Sequence, residues 1–192
     1  MRIILLGAPG SGKGTQGPIL AEHFGSTHVS TGELLRHEIA EGTELGQRVR
    51  GYVQAGELVP DEIVFALLSE PIAAAAASGG YVLDGFPRSL HQAEEAYARA
   101  ELAGVTADAV VNLSAPDDVV RERLGMRAAY GRADDGDRDV IERRLRIYHS
   151  ETEPLLDFYR SRGLLVTVDA TGPAEEVTEA MIAVLTDRTP AS

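Results

Sequence analysis

A glycine-rich segment near the start of the chain has the residue types and spacing of a phosphate-binding site. Residues 7–15 read Gly-Ala-Pro-Gly-Ser-Gly-Lys-Gly-Thr and follow a short apolar run that begins at Met1. A buried strand that leads through such a loop into a helix directs several backbone N–H groups at one anion. The Lys13 ammonium can bridge the outer phosphates of a polyphosphate, and the Thr15 hydroxyl can bind a magnesium ion or a phosphate oxygen. The segment therefore predicts a polyphosphate site.

The spacing departs from the simplest phosphate-loop pattern at one position. Gly7, Gly12 and Lys13 match G-x-x-x-x-G-K-[ST], but Gly14 occupies the Ser/Thr position and Thr15 comes one residue later. A glycine-rich connection that binds no phosphate is the alternative. Lys13 is the only lysine among the 18 lysine and arginine residues. A compact ammonium can bridge phosphates as a point charge, which a planar guanidinium cannot do. A lysine kept at this position alone therefore favours the phosphate site.

Length and composition fit one α/β domain and exclude several functional classes. The chain has 192 residues, 44% of them hydrophobic, and no cysteine, which excludes disulfides and thiolate metal sites. Its net charge of −12 argues against sequence-independent nucleic-acid binding, which needs a basic face. The N-terminal apolar run is too short for a signal peptide, and no segment approaches the roughly 18 apolar residues of a membrane span. We therefore expect a soluble cytoplasmic protein.

Apolar runs and helical periodicities alternate along the chain. They predict five strands, at about 1–7, 27–30, 80–84, 109–113 and 164–168. Between and after them they predict helices at about 13–24, 31–39, 45–55, 60–77, 90–102, 116–129, 139–160 and 174–185, the seventh bent near Pro154. Strands that alternate with helices form a parallel sheet covered on both faces, and such a sheet binds ligands at the carboxyl ends of its strands.

Asp84 ends the third predicted strand, at the same edge of the sheet as the glycine-rich loop. A carboxylate there is a Walker-B-like feature that can hold magnesium directly or through water. The alternative is a carboxylate that caps the following Gly85 loop.

Arginines near the glycine-rich breaks indicate what accepts the phosphoryl group. A hydroxyl acceptor usually needs a carboxylate base, whereas a phosphate acceptor is already anionic and needs cations to overcome charge repulsion. Six arginines lie in suitable segments: Arg36, Arg88, Arg123, Arg127, Arg132 and Arg144. For Arg121, Arg143 and Arg146 we favour a solvated helix with Glu–Arg pairs instead. The pattern indicates two phosphorylated substrates placed face to face.

Six motifs, in this order along essentially the whole chain, resemble those of the adenylate kinases. They are 7–16 (GAPGSGKGTQ), 30–36 (STGELLR), 56–61 (GELVPD), 84–88 (DGFPR), 131–135 (GRADD) and 144–145 (RL). The resemblance explains the displaced Thr15, because nucleoside monophosphate kinases carry G-K-G-T at this place.

The resemblance implies a role for each matching residue. On the ATP side lie Gly10, Ser11, Gly12, Lys13, Gly14 and Thr15, with Arg123 against the base, Arg127 on the phosphates and the Gly172 carbonyl at the adenine. On the AMP side lie Thr31, Arg36, the backbone of Glu57, Leu58 and Val59, and Gly85, Phe86, Pro87, Arg88 and Gln92. The catalytic set is Lys13, Arg88, Arg127, Arg132 and Arg144, the last two also bordering AMP, and Asp84 would hold Mg²⁺ through water.

Gln92 bears on the choice of acceptor. Pyrimidine nucleotide kinases typically follow D-G-F-P-R with an asparagine and an acidic residue, whereas residues 89–92 (SLHQ) follow the adenylate kinase pattern, in which the glutamine meets the adenine edge. A glutamine on the helix surface without a ligand is the alternative.

The resemblance also implies a domain organisation. It predicts one P-loop kinase domain over 1–192, with a five-stranded parallel sheet flanked by helices, a small helical AMP-binding insertion at about 30–59 and a short lid at about 126–136. Long forms insert a lid domain that sometimes binds zinc through cysteines, so we expect no zinc here. We also expect a monomer.

The expected reaction is reversible transfer of the γ-phosphoryl group from Mg-ATP to AMP, which gives two ADP. One alternative is a kinase for UMP, CMP or another monophosphate. A second is a nucleotide-controlled switch or binding module rather than an enzyme. Guanine-binding switches typically carry the motif N-K-x-D, which cannot occur here because Lys13 is the only lysine.

Overall fold

The computed structural model describes residues 1–129 and 137–188, and these form an α/β fold around one parallel sheet. The strands are β1 (Ile3–Gly7), β2 (Thr27–Ser30), β3 (Tyr81–Asp84), β4 (Ala109–Ser114) and β5 (Leu165–Asp169), in the spatial order β2-β3-β1-β4-β5. Every pairing in the sheet is parallel. The predicted five-stranded parallel sheet flanked by helices is confirmed.

The helices cover both faces of this sheet. In chain order they are α1 (Lys13–His23), α2 (Thr31–Glu41), α3 (Glu44–Ala55), α4 (Asp61–Ala77), α5 (Leu90–Leu102), α6 (Asp117–Ala129), α7 (Arg138–Ile147), α8 (Leu155–Arg160) and α9 (Ala174–Thr186). Within the described ranges, none of them is long and apolar enough to cross a membrane.

The central strand β1 is buried along its whole length, which explains its continuous apolar sequence. Alternate residues of β1 belong to two hydrophobic cores, one on each face of the sheet. Ile3 and Leu5 pack with α1 and α9, and Ile4 and Leu6 pack with helices on the other face, including α4 and α8. A third cluster joins α6 to α7 beside the glycine-rich loop.

The register of the strands brings three chain segments to one edge of the sheet. Leu5 of β1 is opposite Asp84 of β3, and Asp84 is opposite Ser30 of β2. The loop after β1, the loop after β3 and the start of α2 therefore lie side by side, where a parallel sheet binds its ligands.

The helix predicted at 139–160, with a bend near Pro154, lies in the right place but is not one continuous α-helix. The structure has α7, a π-helical turn over Tyr148–Thr152 and the separate helix α8. Pro154 has no N–H group to donate, and its ring clashes with the carbonyl four residues earlier, so α-helical bonding cannot continue. The Glu153 N–H instead bonds the Tyr148 carbonyl at 2.8 Å, five residues back.

The proposed division into an insertion at about 30–59 and a lid at about 126–136 stays a prediction. Residues 30–59 contain α2 and α3. Most of the predicted lid, including Arg132, lies outside the described residues, as does the tail 189–192.

Asn112 is a polar residue in a core position of β4. Its side chain is 5% exposed, and its Oδ1 atom has no hydrogen-bond partner among the described residues. We expect Asn112→Val to raise the free energy of unfolding by about 1 kcal/mol, because a desolvated carbonyl is replaced by a β-branched apolar group. Urea unfolding measures this.

The matched control is Asn112→Asp, which keeps the shape but buries a charge and should lower the free energy of unfolding. A lower stability in Asn112→Val would contradict the prediction and would mean that the carbonyl binds a buried water.

His149 connects the π-helical turn to the start of α6. Its Nδ1 atom lies 2.9 Å from the Glu153 carboxylate and its Nε2 atom 3.1 Å from that of Asp117. The hydrogen bond with Glu153 raises the pKa of His149, the hydrogen bond and charge of Asp117 raise it further, and partial burial opposes them.

A raised folded-state pKa means that the stabilisation is fully present below the unfolded value of about 6.5 and is lost as the pH rises through the folded value. We therefore expect His149→Gln to lower the melting temperature at pH 5.5 and to have little effect at pH 9. Thermal unfolding across this range measures the difference. A loss that is the same at both pH values would contradict this account.

Candidate active site

One cleft of about 610 Å³ opens at the carboxyl edge of the sheet. Its walls come mainly from the glycine-rich loop, α2, the segment 56–59, the loop after β3, and helices α6 and α7. Sixteen predicted nucleotide-binding residues, together with Asp84, line it: Gly10, Gly12, Lys13, Gly14, Thr15, Thr31, Arg36, Glu57, Leu58, Val59, Gly85, Pro87, Arg88, Gln92, Arg127 and Arg144.

The glycine-rich loop wraps around the N-terminus of α1. Gly12 is the residue before the helix and has φ +106°, a backbone conformation that a side chain would strain. The Lys13 Nζ atom donates to the carbonyls of Gly7 at 2.7 Å and Ala8 at 2.9 Å, so its ammonium lies over the loop. The N-terminus of α1 and the Lys13 ammonium together form a site for a polyphosphate.

Two hydroxyls near this loop are buried and have no hydrogen-bond partner among the described residues: those of Ser11 and Thr31. Ser11 does not line the cleft, because its side chain lies under the loop, 2.7 Å from where Gly7 would carry a Cβ atom. Thr31 does line the cleft, at the start of α2. A buried hydroxyl without a partner is costly, so a ligand that bonds it is favoured.

Asp84 lies beside the loop, as its strand register requires. Its side chain is 8% exposed, and its Oδ2 atom is 3.9 Å from where a Cβ atom on Gly14 would be. Thr15 lines the same cleft. In the described part of the chain, no group of three or more His, Asp or Glu side chains is arranged to hold a metal ion. One carboxylate and one hydroxyl fit Mg²⁺, which usually keeps several waters and binds substrate phosphates.

The loop after β3 holds Arg88 through its backbone. The Arg88 N–H donates to Gln92 Oε1 at 2.8 Å, and the Arg88 carbonyl accepts from the Thr152 hydroxyl at 2.7 Å. The Arg88 Nε atom also donates to the Gly85 carbonyl at 2.9 Å. These contacts orient the guanidinium before any substrate binds.

Arg88 shares the cleft with two further arginines. Its side chain keeps exposed surface, because the cleft is open, although protein surrounds it on the remaining sides. Desolvation lowers the pKa of Arg88, Asp84 opposes this effect, and the charges of Arg144 and Arg36 lower the pKa further. Arginine stays protonated in proteins, so this is a strongly positive site.

Helix α7 lies against the segment that follows α3. Arg143 donates to the Ala55 carbonyl at 2.8 Å, and a Cβ atom on Gly56 would be 2.9 Å from the Arg144 side chain. The solvated Glu–Arg pairing expected for Arg143 is therefore wrong, because this guanidinium caps the end of α3. Arg121 does pair with a glutamate, Glu142, at 2.7 Å.

Gln92 is 2% exposed, so the alternative of a helix-surface glutamine is wrong. The Ser89 hydroxyl caps the start of α5 and thereby places Gln92 in its first turn, facing the cleft. Its Nε2 atom donates to Asp61 Oδ1 at 2.6 Å.

Arg123 and Gly172 meet outside the residues that line the cleft. The Arg123 guanidinium donates to the carbonyls of Ala170 at 2.7 Å, Thr171 at 3.1 Å and Gly172 at 3.4 Å. The middle of α6 is thus joined to the loop after β5.

Phe86 is a core residue and not part of the cleft wall. Its side chain is 3% exposed and packs edge-to-face on Phe65, with ring centroids 5.3 Å apart. An apolar ring in this loop anchors it to the core, so only its backbone can face a ligand.

Sequence reasoning missed Asp61 and Thr152 as supports of the site. Asp61 stands within the motif 56–61, but its contact with Gln92 spans 31 positions. Nothing in the sequence around Thr152 indicates a role in the site, because its hydroxyl reaches the Arg88 carbonyl only through the π-helical turn.

Comparisons with known proteins agree with this geometry. The family model described as adenylate kinase matches residues 5–164. The chain is 47% identical to adenylate kinase 1 of Nostoc sp., across 96% of this chain and 98% of the relative. It is 48% identical to the adenylate kinase of Mycobacteroides abscessus (92% and 94%) and 43% identical to that of Thermobifida fusca (98% and 100%).

These matches cover most of both chains at well over 30% identity, and they favour AMP over UMP or CMP as the acceptor. The chain therefore belongs to the adenylate kinase family of enzymes, which transfer a phosphoryl group from ATP to AMP.

Proposed function

We propose that ATP and AMP bind at opposite ends of the one cleft and that the γ-phosphoryl group passes in line between them. The observation that carries this proposal is the convergence of the phosphate loop with Arg36, Arg88 and Arg144. A single anion would not need both a polyphosphate loop and a separate group of arginines.

The ATP side is formed by the loop and by α6. Backbone N–H groups of Gly10 to Thr15 hold the phosphates, Lys13 spans the outer two, and Arg127 reaches them from α6. Lys13 can exchange its two backbone carbonyl partners for phosphate oxygens, to which an ammonium bonds more strongly. The base of ATP would bind against Arg123 and the Gly172 carbonyl, which do not themselves line the cleft.

The AMP side is formed by α2, the segment 57–59 and the loop after β3. Arg36 and Arg88 bind the AMP phosphate, and the hydroxyl of Thr31 and the backbone of residues 57–59 and 85–87 surround the nucleoside. Gln92 reads the adenine edge. An anion bound here relieves the repulsion among the arginines, which favours binding of a phosphate.

Catalysis in this arrangement is positioning and charge neutralisation. The attacking oxygen belongs to a phosphate that is already ionised, so no protein base is required. Lys13, Arg88, Arg127 and Arg144 neutralise the charge shared by the two phosphate groups, and Arg132 joins them from the predicted lid. Donors that are already oriented, as Arg88 is, need no reorganisation during transfer.

Adenylate kinases use Mg-ATP, and we propose that Asp84 and Thr15 would hold the magnesium ion here, with Asp84 acting through water. The bound ion supplies further neutralisation of phosphate charge. We propose no zinc site, since the chain has no cysteine.

The predicted insertion at 30–59 and the short lid at 126–136 would close over the substrates and exclude water, which otherwise competes as acceptor. The contacts of α7 with Ala55 and Gly56 support a coupling between the insertion and the helix that follows the predicted lid. We propose that the enzyme acts as a cytoplasmic monomer on small nucleotides, without nucleic-acid or membrane partners.

Arg88→Ala should lower kcat/KM for AMP by roughly 10²-fold or more, the scale of one lost transition-state donor. The variant keeps the backbone bonds to Gln92 and Thr152, so the loop keeps its position. Arg127→Ala should have an effect of similar size.

Steady-state kinetics measure these losses. Arg121→Ala, which removes an exposed arginine paired with Glu142, is the control and should change kcat/KM less than twofold. A loss of tenfold or less in Arg88→Ala would contradict its role.

The acceptor assignment is tested by ADP formation from Mg-ATP with AMP, CMP, UMP and GMP supplied separately. We expect strong turnover with AMP and its loss in Lys13→Met, which keeps an unbranched side chain of similar length but removes the ammonium. Preference for a pyrimidine would overturn the role of Gln92. Full activity of Lys13→Met would overturn the proposed ATP side.

A further inference from the structure

Both polar atoms of the Gln92 amide already have a protein partner. Oε1 accepts from the Arg88 N–H at 2.8 Å, and Nε2 donates to Asp61 Oδ1 at 2.6 Å. An amide has two donor hydrogens and two acceptor lone pairs, so one hydrogen and one lone pair remain for a ligand. Gln92 lines the cleft, where such a ligand would lie.

The two partners determine which end of the amide is the donor. A backbone N–H can only donate and a carboxylate can only accept, so Arg88 must face the oxygen and Asp61 must face the nitrogen. An inverted amide would place two donors together at Arg88 and two acceptors together at Asp61. Each contact independently favours the observed orientation.

Asp61 is the first residue of α4 and does not line the cleft. Its second oxygen, Oδ2, lies 2.8 Å from Nδ1 of His91, whose side chain is 73% exposed. The Asp61 carboxylate therefore contacts Gln92 on the side away from the cleft.

We propose that Asp61 is a positioning residue that makes Gln92 selective for adenine over 6-oxopurines. The inference rests on the proposed role of Gln92 in the acceptor site. Adenine presents an acceptor at N1 and a donor at its 6-amino group, which match one Nε2 hydrogen and one Oε1 lone pair. Hypoxanthine presents the reverse order, a donor at N1 and an acceptor at O6. A freely inverting glutamine would accept both bases, and a fixed one accepts adenine alone.

The test is the variant Asp61→Asn, whose side-chain amide can donate to an inverted Gln92 as well as accept from the present one. AMP and inosine monophosphate compete in one reaction with γ-labelled ATP, and the initial label in ADP is compared with that in IDP. This ratio does not depend on the fraction of folded enzyme. We expect the preference for AMP to fall by roughly tenfold, since only the Arg88 N–H then opposes inversion.

Two further variants make the result specific. Gln92→Ala removes the reading group and should lower the preference at least as far as Asp61→Asn does. His91→Ala removes the other partner of Asp61, whose Oδ2 atom then binds water, and should change the preference less than twofold.

Each outcome decides the matter. A lower preference in Asp61→Asn and Gln92→Ala, but not in His91→Ala, supports the proposal. A lower preference in Gln92→Ala alone overturns the role of Asp61 and leaves that of Gln92 standing. An unchanged preference in both overturns the adenine-reading role of Gln92 as well. An equal loss in His91→Ala overturns the proposal, because the preference would then respond to any change near Asp61.

Discussion

The parallel pairing of β1 with β3 is the constraint on which the rest of the site depends. It places Asp84 opposite Leu5, two residues before Gly7, so the phosphate loop and the loop that carries Arg88 leave the sheet side by side. β2 extends the same register to Ser30, where α2 and its Thr31 begin. A shift of one residue in a strand would turn its side chains to the opposite face and separate these groups.

A second constraint is electrostatic. Arg36, Arg88 and Arg144 share one cleft, where desolvation lowers the pKa of Arg88 and the charges of Arg144 and Arg36 lower it further. Repulsion of this kind favours a cleft that opens or arginines that turn away. The Gln92 side chain accepts from the Arg88 N–H and the Thr152 hydroxyl donates to the Arg88 carbonyl, and these bonds hold the Arg88 loop in place. The charge of Asp84 offsets part of the positive charge. The fold therefore keeps a positively charged site ready for an anion.

Several supports of the site come from distant parts of the chain. Thr152 bonds Arg88 across 64 positions, and Arg143 bonds Ala55 across 88. Both belong to the region where one long helix was expected. The π-helical turn before Pro154 changes which residues face the cleft, and π-helical turns often mark functional sites. Helical periodicity cannot reveal such a change, because it assumes 3.6 residues per turn throughout.

The sequence alone determined the five strands, the phosphate loop with Lys13, the aspartate at the end of β3 and the arginines that make a phosphate acceptor plausible. These features depend on local spacing and on the rule that parallel strands bind ligands at their carboxyl ends. It also indicated that Gln92 bears on the acceptor. Only the tertiary structure decided that Phe86 lies in the core, that Thr152 and Arg143 support the cleft, and that Asp61 orients the Gln92 amide. The physical reason is that each of these depends on a contact between residues far apart in the chain, and local sequence carries no information about its geometry.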